Sequence, residues 1–226
     1  MDASELDNPF WSSLRTRHRA IALSQGGAAR YPADFAPFLG VTNAEADVAQ
    51  AFETLIAPGE SLYMLGIVPK TGRWRLEAFR PLAQMICERP LDVIDGPDTI
   101  ELTRTHRADV LALTALVYPH YFRERTMEMG RYFGIYQDGR LAAMAGERLG
   151  TDGFQEISAI CTHPDFNGRG YARRLTAMLS NDNLSRGRIP FLHVSHDNPR
   201  ALNMYERLGY RHRRDIGFWS ISRNPD

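Results

Sequence analysis

Asn167-Gly168-Arg169-Gly170-Tyr171-Ala172 stands between two patterned runs. Before it lies the apolar, strand-like Glu156-Ile157-Ser158-Ala159-Ile160-Cys161-Thr162. After it, Tyr171, Leu175, Met178 and Leu179 recur at helical spacing. A glycine-rich turn that opens a helix leaves backbone N–H groups without intrahelical partners. With the positive end of the helix dipole, those groups suit a phosphate or pyrophosphate. Two glycines before a helix also describe an ordinary tight loop, so the meaning of the turn rests on its surroundings.

Downstream, a strand over residues 189–194 precedes Asn198-Pro199-Arg200-Ala201-Leu202-Asn203-Met204-Tyr205-Glu206-Arg207-Leu208-Gly209-Tyr210. Asn198 is placed to cap a helix, Pro199 to occupy its first position, and Gly209 to end it in the left-handed region. Asn198 and Tyr205 lie about two turns apart and can share a face. Upstream, Asp138-Gly139 between strand-like residues 132–136 and 141–146 predicts a hairpin. Residues 99–103 read as a short strand. Residues 109–118 read as a helix with Val110, Leu113 and Val117 on one face, stopped by Pro119, and residues 121–130 as a second helix. Two strands, over 210–213 and 217–221, close the chain.

The first half reads as mixed α/β. It opens helix-like from Trp11 and turns strand-like near Leu23. A helix capped by Asn43 runs to about Ala57, with Val48, Phe52 and Leu55 on one face, and residues 62–68 form a buried strand. Residues 74–87 show no single period. Turn-forming residues over 90–97 mark a boundary, giving an N-terminal region 1–97 and a second unit 98–226. The expected class is α/β, an α+β mixed sheet with helices on both faces. A dinucleotide fold is excluded, because the turn lacks the further glycine, early βαβ unit and downstream acid that such a site needs.

With 226 residues and 43% hydrophobic content, the chain can build one large core or two small ones. Its 27 basic and 27 acidic residues balance, which argues against non-specific nucleic-acid or membrane-surface binding. The local cluster Arg211, Arg213 and Arg214 reads as a solvated strand edge or as a partner for acidic groups. The two cysteines, Cys87 and Cys161, have neither metal-type nor disulfide-type spacing. An acidic opening with no apolar run after it, and no long apolar stretch elsewhere, gives the expectation of a cytoplasmic protein with reduced thiols.

From about Thr99 onward the chain resembles the GNAT superfamily of acyl-CoA-dependent N-acetyltransferases. The turn is similar to that family's R/Q-x-x-G-x-G/A pyrophosphate loop, with Asn167 in place of the first Arg or Gln. The stretch from Asn198 to Tyr210 matches N-x-x-A-x-x-x-Y-x-x-x-G-F/Y at every specified position. The order of elements agrees as well. The strand containing Phe191, Leu192, His193 and Val194 resembles the branch related to the glycine N-acyltransferase C-terminal domain. The resemblance implies a GNAT-like acyl-CoA N-acyltransferase fold whose strands at 156–162 and 191–194 splay to admit a pantetheine arm. It implies acetyl-CoA or another short acyl-CoA as co-substrate, held by Ile160, Cys161, Thr162, Asn167, Gly168, Arg169, Gly170, Tyr171, Ala172, Asn198, Ala201 and Tyr205. The N-terminal region is then either a degenerate second half of the same fold or a wall of the acceptor pocket.

The resemblance also implies roles. Tyr205 would protonate the leaving thiolate, and backbone N–H groups near Ile160 would polarise the acyl carbonyl. Glu156 stands where histone-acetylating relatives place a glutamate base, with Glu147 as its competitor; as neighbours they would raise one another's pKa. Ser158 could orient a water that serves instead. His163, His193 and His196 lack metal-ligand spacing, so no metal is expected and they read as packing and turn residues. Cys161, alone in an apolar strand, reads as inert. Trp11, Tyr31, Phe35 and Phe38 read as core. The expected acceptor is a primary amine of a small molecule or amino acid, with no nucleic-acid or membrane partner; a homodimer is compatible with this reading. Its rivals are a non-catalytic acyl-CoA sensor and a protein N-terminal or lysine acetyltransferase.

Overall fold

The computed structural model describes residues 3–70, 72–117 and 119–224. Eleven strands and five α-helices alternate along them. The strands are β1 (Leu23–Gln25), β2 (Ala28–Arg30), β3 (Leu39–Val41), β4 (Ser61–Leu65), β5 (Trp74–Ile86), β6 (Ile100–Leu102), β7 (Tyr132–Gln137), β8 (Arg140–Gly150), β9 (Phe154–Thr162), β10 (Ile189–Ser195) and β11 (Arg211–Arg223). The helices are α1 (Pro9–Arg15), α2 (Ala49–Leu55), α3 (Arg107–Val117), α4 (Tyr171–Ser185) and α5 (Pro199–Leu208). β1 to β3 form a small antiparallel sheet. The remaining strands form an eight-stranded sheet in the order β4-β11-β5-β10-β9-β8-β7-β6. Every neighbouring pair in it is antiparallel except β9 and β10. This is the mixed α/β architecture expected.

Local signals hold where the chemistry is local. Asp138 and Gly139 both take positive φ, 53° and 73°, as a two-residue hairpin turn between β7 and β8 requires. Asn198 caps α5 by accepting from the Ala201 N–H at 3.1 Å, and Gly209 ends it at φ 118°. Alternation along β10 splits its side chains between two cores. Phe191 packs with Phe10, Leu14, Phe154 and Ile216, whereas Leu192 and Val194 pack with Tyr205 and Leu208 of α5. Helices therefore cover both faces.

Several expectations are corrected. The final two strands are one strand, β11, whose register shifts near residues 212–214 and 216–218 break the alternation. Residues 121–130 make turns and a short 3₁₀ segment, Thr126–Met129, in place of a helix. There the Arg125 N–H donates to Asp34 O and the Thr126 hydroxyl to Phe35 O, so the segment bonds across to another loop. Asn43 accepts from the Glu45 N–H in a local turn, and α2 starts only at Ala49; Val48, Phe52 and Leu55 are nonetheless buried together. The helix expected to reach Tyr118 is described to Val117, and Tyr118 lies outside the described residues. The arginine cluster is not a free edge: β11 lies between β4 and β5, Arg213 and Arg214 bind Asp7 at 2.7 and 2.9 Å, and Arg211 binds Glu88 at 2.8 Å.

Residues 74–86, which show no clear period in sequence, form the longest strand of the first half. β5 pairs with β10 on one side and β11 on the other. The division at 97/98 therefore runs through a single sheet and does not separate two packed units. The 90–97 segment is itself docked on α4: Asn181 exchanges hydrogen bonds with Leu91, and Arg174 donates to the carbonyls of Ile94 and Pro97.

Candidate active site

β9 and β10 run in register only through Phe154–Glu156 opposite Ile189–Phe191. Beyond that point β10 pairs with β5 alone and β9 with β8 alone, so a slot opens between them. Its mouth is shaped by a bulge. Ala159 takes φ 50°, rare for a residue with a Cβ, and the β8–β9 register slips beside it. Ser158, Ile160, Cys161, His193, Asn198, Ala201 and Tyr205 line this slot of about 280 Å³. The Cys161 side chain turns away into the core beneath α3, where burial pushes its thiol up to about 12.

The slot continues into a groove of about 650 Å³ that runs past Thr162, Asn167, Gly168, Arg169, Gly170, Tyr171 and Ala172 to the α5 residues Ala201 and Tyr205. Gly168 and Gly170 have φ 80° and 78°, and no side chain caps α4. The first-turn amides of α4 are thus left for an external acceptor. Three cations face the groove: Arg169, stacked 5.0 Å over Phe166, with Arg173 and Arg200. Amide cradle, cations and open strands together fit a nucleotide-like anion with a slender polar arm. Arg173 and Arg200 escape sequence reading because isolated surface arginines carry no pattern.

Tyr205 is buried at the junction of slot and groove, its ring 6.0 Å from that of Tyr210. Of the two glutamates, neither sits as a free carboxylate. Glu147 turns toward α4. There it meets Arg131 at 2.5 Å and Asn183 at 2.8 Å; burial opposes its charge, but these bonds hold its pKa below the usual range. Glu156 lies on the opposite face, so the expected carboxylate pair does not form. It is fully buried and takes a two-pronged contact from Arg148 at 2.8 and 2.9 Å and another from His193 Nδ1 at 2.8 Å. Burial alone would raise its pKa; the Arg148 charge and the hydrogen bonds from Arg148 and His193 outweigh it and bring the pKa to about 2. A carboxylate this acidic and this occupied is a poor proton acceptor near neutrality.

What Glu156 does is orient His193. Gln84 Oε1 accepts from Arg213, so the Gln84 amide nitrogen faces Leu6 O and His193 Nε2, at 2.8 and 3.0 Å. Nε2 must then accept, which puts the ring proton on Nδ1, pointing at Glu156. Both ring nitrogens of His193 are thus engaged within the protein, Nδ1 with Glu156 and Nε2 with Gln84. His163 caps the turn after β9 and His196 pairs with Asp215.

On the other side of His193 opens a second space of about 370 Å³, walled by Phe10, Phe38, Leu65, Phe79, Tyr121 and Phe218. Phe38, read as core, is one of its walls. Both spaces share Arg148, His193 and Ser195.

Comparison with known proteins agrees with this geometry. A GNAT-family protein from Novosphingobium aromaticivorans is 30% identical and superposes with a TM-score of 0.87 over 97% of this chain and 99% of its own. The chain belongs to the GNAT family. The FR47-like protein family model matches residues 132–219, from β7 into β11. The N-alpha-acetyltransferase RimI of Mycobacterium tuberculosis is 36% identical over 92 residues, 39% of this chain and 57% of that protein, so the match spans little more than half of the relative. A GCN5-related N-acetyltransferase from Kribbella flavida shares the GNAT fold at 17% identity, with a TM-score of 0.63 over 99% of this chain and 96% of its own. Among the described residues no helix is long and apolar enough to cross a membrane, and no cluster of metal-ligating side chains occurs.

Proposed function

We propose that this GNAT protein transfers an acetyl group from acetyl-CoA to the primary amine of a small molecule by direct attack. The observation that carries the reading is the meeting of two spaces at His193 and Ser195: the slot between β9 and β10, and the aromatic-walled pocket beside it. The acyl group enters from the groove side and the amine from the pocket side. The C–N bond forms as the C–S bond breaks. The amine proton passes to a water held in the slot by Ser158, and Tyr205 supplies a proton to the thiolate. Backbone N–H groups at the Ala159 bulge, near Ile160, aim at the developing oxyanion. Glu156 and Arg148 act as positioning residues.

N-terminal acetylation of a protein is the second reading, favoured by the likeness to RimI. Against it, residues of the N-terminal region (Phe10, Phe38 and Leu65) close the acceptor side, which supports the pocket-wall expectation for residues 1–97. The test combines coenzyme A titration, read by thermal shift, with thiol release over a panel of small amines and peptides. Stabilisation by coenzyme A with turnover of small amines supports the proposal. Turnover of peptides alone would give the second reading, and binding without turnover of any amine would give the sensor.

A further inference from the structure

We infer that the acceptor is a monoamine bearing an aromatic ring, the ring lodged in the pocket beside His193. This rests on the transferase reading above and adds the class of amine. Half of the residues lining the pocket carry a ring: Phe10, Phe38, Phe79, Tyr121, His193 and Phe218. Phe10 stacks on Phe38 at 4.3 Å, and Phe79 and Tyr121 lie 5.3 and 6.1 Å from Phe218. Such walls offer edge and offset contacts that favour another ring over a flexible chain. Phe79, at the mouth, is 41% exposed, so a large apolar face meets water until a ligand covers it. The volume of about 370 Å³ lies at the small end for ligand sites.

Charge narrows the class further. Every charged group on the wall already has a partner of opposite sign: Arg80 with Asp197, Arg148 with Glu156. Asp197 also receives the Ser195 hydroxyl. A second ammonium, as in a polyamine or an aminoglycoside, finds no unmatched carboxylate. A ligand carboxylate would have to displace Asp197 from Arg80. The Arg80–Asp197 pair is exposed, so the burial cost falls on a ligand charge that lies deeper, among the rings, where it has no partner; a ring with one reactive amine fits there as it stands.

The experiment measures kcat/KM by thiol release for 2-phenylethylamine, tryptamine, propylamine, spermidine, glutamate and an alanine-initiated peptide. Coenzyme A affinity is followed separately by calorimetry. The aromatic monoamines should exceed every other acceptor by about tenfold or more, the worth of burying a ring. Phe79→Ala, at a partly exposed position that folding tolerates, should cost the aromatic amines about tenfold, mainly in KM. It should cost propylamine much less than the aromatic amines and leave coenzyme A affinity unchanged. Spermidine, glutamate or peptide used as well as phenylethylamine overturns the inference. So does a Phe79→Ala loss that is equal for propylamine, or coenzyme A binding with no turnover of aromatic amines. Failure of coenzyme A to bind is a separate result that removes the transferase reading itself.

Discussion

Replacing Glu156 with Gln should destabilise the protein strongly at neutral pH and progressively less in acid. Glu156 and Arg148 are 1% and 11% exposed, so the variant leaves a buried guanidinium without its counter-charge. Removing one partner of a buried pair typically costs about 3–5 kcal/mol. An independent route gives a similar size. The folded carboxyl, at about 2, lies below the ordinary value of 4.5. A difference of that order corresponds to about 3 kcal/mol. Because the folded pKa is depressed, this stabilisation is complete above pH 4.5 and is lost as pH falls from 4.5 toward 2. In a chain of this size about 3 kcal/mol lowers Tm by roughly 6–12 °C. Urea unfolding of both proteins at pH 7 and near pH 3 measures the effect. The variant should trail by about 3 kcal/mol at the higher pH and by clearly less at the lower. A deficit under about 1 kcal/mol at pH 7, or one that does not shrink in acid, would refute the pairing. The double variant Glu156→Leu with Arg148→Met should recover much of the loss, since apolar replacement of a whole buried pair is often near neutral.

Tyr205→Phe should reduce kcat by about 100-fold while coenzyme A affinity stays within about twofold, checked by steady-state thiol release and calorimetry. Gly170→Asp should weaken coenzyme A binding by about tenfold or more. Its backbone sits at φ 78°, its Cβ would meet Ile94 Cδ1 at 2.8 Å, and it adds a negative charge at the anion cradle; a thermal shift by coenzyme A equal to wild type would contradict this. Glu147→Gln should lower stability by about 2–3 kcal/mol through its contacts with Arg131 and Asn183. Its kcat at a temperature where the variant is folded should be unchanged, and a large fall in kcat would restore Glu147 to the chemistry.

The cofactor-side half was readable from residues alone because each of its signals is local. Asp138-Gly139 requires positive φ at both positions, Gly168 and Gly170 require it in the turn, and Asn198 with Gly209 brackets one helix. Such preferences act between residues a few places apart, so they survive in a one-dimensional pattern. The order β9, turn, α4, β10, α5 follows from them, and with it the family.

Tertiary structure decided what depends on partners distant in sequence. Residues 74–86 carry no clean alternation, and only pairing with β10 and β11 makes them a central strand. Glu147 and Glu156 look equivalent as strand carboxylates. The fold gives one to Arg131 and Asn183, and the other to Arg148 and to His193, 37 residues away. Protonation depends on those neighbours, so the glutamate expected to accept a proton became the group that holds a histidine in place. The aromatic-walled pocket draws its rings from residues 10 to 218. No local preference links them; Phe79 and Phe218 sit opposite each other on paired strands, and Phe10 of α1 with the loop residues Phe38 and Tyr121 packs against them.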